Sequence, residues 1–109
     1  MNILFLHRSF PGQFKYLASA MALDKNNKVV FITEDDKNQI SGIEKRIYKP
    51  EYTPIKKSKS KIYDIAVAHG KAAQKVAQEL KNEGFVPDVI YGFSGWGTSL
   101  FIKEVYPNV

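Results

Sequence analysis

The chain has 109 residues and no cysteine, a formal charge of +5 and 44% hydrophobic residues. That is the size of one modest domain, or of a piece of a larger protein, with the composition of an ordinary globular chain. Disulfides and Cys-based zinc sites are excluded, and the lack of cysteine fits a reducing compartment. No apolar run approaches the ~20 residues of a membrane span, and no signal peptide is visible, because "MNILFL" is too short and runs straight into His7 and Arg8.

Residues 3–6, "ILFL", form a short unbroken apolar run, the mark of a strand covered on both faces. "HRSFPGQF", 7–14, follows as a turn. From Phe14 the period changes: Phe14, Leu17, Ala18 and Met21 fall on one helical face. Asn26 and Asn27 supply left-handed residues that end such a helix. "VVFIT", 29–33, predicts a second buried strand, rich in β-branched residues, with the acidic turn "EDDKN" behind it. "IEKRIYK", 43–49, has the charge of an edge strand. Pro50 and Pro54 exclude helix, and "KKSKSK", 56–61, continues as a polar loop.

Residues 62–83 carry the longest helical pattern, with Ile62, Ile65, Ala66, Ala72, Ala73, Val76, Ala77 and Leu80 at spacings of three and four. Gly84 marks its end. Gly70, inside it, permits a close helix crossing or marks a kink. His69, alone among alanines, reads as an ordinary helix residue. "DVIYGF", 88–93, predicts another strand, "SGWG" a turn, and "TSLFIKEVY", 98–106, a last helix that Thr98 caps.

This β-α-β-(β)-α-β-α order predicts a Rossmann-like α/β fold, three layers around a mostly parallel sheet with strand order 3-2-1-4. The chain stops where a fifth strand is expected, so residues 1–109 read as an incomplete amino-terminal domain. In such sheets ligands bind beyond the carboxyl ends of the strands, where the order reverses. The switch point lies between the first and fourth strands, so "HRSFPGQF" and "GFSGWGTS" are predicted to face one crevice. Each opens a helix, whose N-terminal amides attract anions. Gly12, Gly95 and Gly97 let a ligand approach the backbone, and His7 and Arg8 add donors and charge.

"HRSFPGQFKYLA" and "PDVIYGFSGWGTSLFIKEVYPNV" resemble the amino-terminal part of family-4-like glycosyltransferases of the GT-B fold. The resemblance implies two Rossmann-like domains with the active site between them. The amino-terminal one holds the acceptor, and the carboxy-terminal one, absent here, holds the nucleotide-sugar donor. It sets Gly12 and its neighbours near the donor's diphosphate, and Gly95, Trp96 and Gly97 on the acceptor side. The family often carries a histidine ahead of the Gly-Trp-Gly run; this chain has Phe93 there. The family's paired glutamates belong to the other half, so this chain alone is expected to be inactive.

The residues expected to serve the site are Arg8, Gly12, Gln13, Ser94, Gly95, Trp96 and Gly97 in substrate binding, and His7 as a hydrogen-bond partner or general base. Trp96 would stack on a sugar ring or cover the acceptor pocket. No metal and no cofactor are called for beyond the nucleotide sugar, which is a substrate. The expected partners are that donor and a sugar or lipid-linked acceptor, with no nucleic acid, since one basic loop makes no interface. Peripheral contact of the Lys-rich run with the inner face of a membrane, and self-association through an open sheet edge, complete the expectations, in a cytoplasmic setting.

Two other readings stand beside this one. Glu34 and Asp35, about 20 residues past Gly12, sit where a dinucleotide-binding oxidoreductase domain holds the ribose, although the first turn lacks G-x-G-x-x-G. A non-catalytic flavodoxin-like interaction module would need neither chemistry.

Overall fold

β1 (Asn2–Leu6) sits at the centre of a four-stranded, all-parallel sheet in a computed structural model that describes residues 1–51 and 61–109. It pairs with β2 (Lys28–Thr33) on one side and β4 (Val89–Gly92) on the other, while β3 (Ile43–Ile47) pairs with the outer edge of β2. The order is β3-β2-β1-β4, as predicted.

The unbroken apolar runs follow from covering both sheet faces. Side chains alternate across a strand. Ile3, Phe5, Val29, Phe31 and Ile43 therefore pack against Phe10, Phe14, Ala18 and Met21, on and ahead of α1 (Lys15–Leu23). Leu4, Leu6, Val30 and Ile32 face the opposite way, against Ala73, Ala77 and Leu80 of α2 (Lys61–Asn82) and Ile102 and Val105 of α3 (Ile102–Val105). Arg46 of β3 clamps the end of α2 with two bonds to Glu83, at 2.8 and 2.7 Å.

Several local expectations need correction. Leu17 is exposed, so the buried side of α1 narrows to Ala18, with Phe14, Met21 and Ala22 partly covered. No asparagine ends α1 in a left-handed conformation; the Asn27 side-chain amide takes the Met21 carbonyl instead. Ile62 shares the helical face of His69 and Ala73, but lies about two turns before His69, where it is 86% exposed. Gly84 does end α2, with φ +94° and bonds from Gly84 N to Lys81 O and Phe85 N to Leu80 O.

The last helix is much shorter than the pattern 98–106. A 3-10 turn covers Gly95–Gly97, and α3 holds only four residues. Past that turn, residues 98–101 run as turns closed by i−3 bonds, Leu100 N to Gly97 O and Ile102 N to Ser99 O, and Phe101 at φ −114°, ψ +12° delays the α-helical bonding. Thr98 makes no cap, since its hydroxyl is turned to Tyr48. The expectations on Pro54 and on lysines 56, 57 and 59 fall on residues 52–60, outside the described residues; Lys61 opens α2.

Candidate functional site

The carboxyl ends of β1 and β4 lie side by side, because these strands pair residue for residue from Ile3–Val89 to Leu6–Gly92. One more bond, Phe93 N to Leu6 O at 2.9 Å, carries the pairing into the loops. The loops after β1 and β4 therefore meet at the switch point. Their side chains complete the junction. The His7 ring stacks on Phe93 with centroids 4.3 Å apart, and the Arg8 guanidinium lies 4.4 Å from the centre of the Trp96 ring.

Arg8 is held on three sides. Its carbonyl accepts bonds from Glu34 N and from the Thr33 hydroxyl, both at the end of β2. Its Nε donates to Glu34 Oε2 at 2.9 Å. The Nη groups have no hydrogen-bond partner among the described residues and remain available to an anion. An exposed ion pair of this kind contributes about 0–1 kcal/mol, and a cation on an aromatic face about 0.5–1 kcal/mol. The arrangement is therefore better understood as orientation than as stabilisation.

His7 is buried, and desolvation lowers its pKa, so the ring is neutral at pH 7. Its Nδ1 accepts the Ser9 N–H at 2.9 Å, which places the ring proton on Nε2. That Nε2–H is buried without a hydrogen-bond partner. The ring's one basic lone pair, on Nδ1, is thus committed to Ser9. The geometry offers a hydrogen-bond donor and an aromatic bridge, and gives the general-base role no free lone pair.

Gly12 has φ +57°, and a Cβ there would lie 2.7 Å from the His7 ring. The glycine is required by the packed imidazole first. Gly95 would place a Cβ 2.6 Å from its neighbour Phe93, and Gly97 would place one 2.2 Å from the Ala66 carbonyl of α2. At Gly70 the close approach comes from the turn after β4 and not from a crossing helix: an added Cβ would sit 2.9 Å from Gly97 O. Gln13 and Ser94 are exposed, and Trp96 is 56% exposed although it stands in a left-handed conformation, φ +64°.

Three residues that sequence reasoning missed or dismissed lie beneath this surface. Tyr48 just past β3, His69 of α2 and Thr98 behind Gly97 are fully buried and joined through the Tyr48 hydroxyl, at 2.8 Å to His69 Nδ1 and 2.9 Å to Thr98 Oγ1. Their only sequence signal is polarity on faces that should be apolar. No group of three or more His, Asp or Glu able to hold a metal occurs among the described residues. A cleft of about 700 Å³ opens between α2 and the end of β3, with Tyr48 in its wall; none of the sequence-predicted site residues lines it.

A family model described as the glycosyl transferase family 4 group matches residues 25–109. The chain belongs to this family. The matched span includes the Gly95–Gly97 turn and the helices around it, and begins after the loop that carries His7 and Arg8. No curated protein and no solved structure matches the chain. A role in glycosyl transfer is thus supported for this family 4 chain. No helix of the described residues is long and apolar enough to cross a membrane.

Proposed function

We propose that the chain forms the acceptor side of a two-domain GT-B cleft, in which a sugar moves from a nucleotide-sugar donor to the hydroxyl of a sugar or lipid-linked acceptor. The reaction would belong to the cytoplasm. The observation that carries the reading is the meeting of the two loops at the switch point, with Arg8 over Trp96, in a family 4 chain.

Such a transfer breaks the bond between the anomeric carbon and the diphosphate. The leaving group gains negative charge, which oriented donors stabilise. The free Nη groups of Arg8 and the amides of Gly12 and Gln13 ahead of α1 suit that task. The open face of Trp96 suits a sugar ring, with Ser94, Gly95 and Gly97 shaping the turn around it. His7 would join the two loops through Phe93 and act as a positioning group rather than as a base.

The dinucleotide reading is disfavoured by the first turn, which lacks G-x-G-x-x-G, and by the partners its acids already have. Glu34 is bonded to Arg8, and Asp35 is occupied with Lys37 N, Asn38 N and the Lys45 ammonium. A donor screen on the polypeptide that joins this chain to its donor-binding half tests the proposal, reading released nucleoside diphosphate. Release with one nucleotide sugar in the presence of an acceptor is expected. A folded protein that releases none from any donor would overturn it.

A further inference from the structure

Trp96 needs something to hold it. An aromatic residue at φ +64° is locally strained, and its ring is too exposed for the core to offset that strain. Arg8 touches the ring but is itself a half-exposed side chain. The hold must come from the adjoining backbone.

That backbone is anchored two residues on. Gly97 lies against α2 so closely that its missing Cβ would sit 2.2 Å from Ala66 O, and Gly97 O lies 2.9 Å from where a Gly70 Cβ would be. Thr98 follows, 1% exposed, with its hydroxyl on Tyr48. The Tyr48 hydroxyl spans to His69 Nδ1 on the same stretch of α2. One phenol thus joins the end of β3, the middle of α2 and the turn after β4.

We propose that Tyr48 is the positioning residue of the site: its hydroxyl locks Thr98 to α2 and thereby fixes Trp96 over Arg8. Burial supports the lock. Desolvation pushes the Tyr48 phenol up to about 12 and moves His69 down, so the phenol keeps its proton and the imidazole stays neutral at pH 7. A phenol with one proton donates to one neighbour and accepts from the other, so the three groups satisfy one another only as a set. The consequence for sugar transfer rests on the transferase reading above; the consequence for Trp96 does not.

Trp96 is the single tryptophan of these 109 residues, so its fluorescence reports on the turn once any tryptophan elsewhere in the polypeptide is replaced. The test is acrylamide quenching of the wild type, Tyr48→Phe, Thr98→Val and Thr98→Ser, with far-UV circular dichroism confirming the fold. Tyr48→Phe and Thr98→Val should raise the quenching constant toward roughly twofold as a ring 56% exposed becomes free in solvent. Thr98→Ser, which keeps the hydroxyl, should quench like the wild type. Wild-type quenching in folded Tyr48→Phe or Thr98→Val would overturn the proposal. Unfolding of both variants would overturn it too, because the hydroxyls would then serve stability and not the turn. A missing transferase activity would leave this readout untouched, so the two readings fail separately.

Discussion

The His7 ring lies nearly flat on Phe93, with planes 14° apart and centroids 4.3 Å apart. These residues are the first to follow β1 and β4, and their contact makes two distant loops into one surface. The same ring fills the space above Gly12, 2.7 Å from where a Cβ would be. The first loop therefore turns tightly around an imidazole, and Arg8 beside it is directed to Trp96 and Glu34.

Gly12→Ala should destabilise the fold by about 1–2 kcal/mol from positive φ alone, and by more because the methyl meets His7. The double variant with His7→Ala should recover the steric part. Thermal melts of the four proteins in a mutant cycle measure this coupling. Strict additivity would show that the imidazole does not restrict Gly12.

Gly97→Ala and Gly84→Ala both place a Cβ at positive φ, +83° and +94°. Around Gly84 nothing lies within 4 Å, whereas Gly97 meets the backbone of α2. Gly84→Ala should cost about 1–2 kcal/mol, and Gly97→Ala clearly more. Equal losses in denaturant melts would contradict the close seating of the turn on α2.

Much of this architecture could be read in the amino acids. The strands "ILFL" and "VVFIT" are apolar throughout because both sheet faces are covered, and that signal also gives their parallel pairing. The meeting of the two loops followed from strand order. The short α3 did not, since Leu100, Phe101 and Val105 keep helical spacing while the backbone of residues 98–101 closes i−3 turns that the apolar pattern does not distinguish from an α-helix. The Tyr48–His69–Thr98 group was illegible for another reason: His69 and Thr98, 21 and 50 positions from Tyr48, reach it only through tertiary packing. The reason for Gly12 was likewise hidden, because His7 is the atom set it avoids.

Acid should weaken the fold in a defined window. Burial lowers the pKa of folded His7 and His69 below the ordinary 6.5, so the unfolded chain binds more protons as pH falls. Their contribution is complete above about pH 6.5 and is lost as pH drops through the folded pKa values. Asp35, held down at about 2 chiefly by its bond to Lys37 N, keeps its charge in the native fold above that range. The melting temperature should be lower at pH 5 than at pH 7.5, and His7→Phe should narrow the difference. A melting temperature that is flat or rises toward pH 5 would refute this.

Arg8→Lys separates charge from shape. Lysine keeps the cation and loses the planar group that both lies on Trp96 and bonds Glu34. The melting temperature should change little, in line with the ~0–1 kcal/mol of an exposed pair. Nucleoside diphosphate release should fall at least about tenfold, a loss of ~1.4 kcal/mol at the transition state. Unchanged turnover would remove Arg8 from the reacting surface.

The most direct measurement is Trp96 emission during acceptor titration of the two-domain protein proposed above, with any other tryptophan in it replaced. If the Trp96 turn forms the acceptor surface, emission should change saturably, with a midpoint matching the acceptor KM. Full turnover with Trp96 emission unmoved by any acceptor would contradict the account, because the sugar would then bind away from the rim where β1 and β4 end.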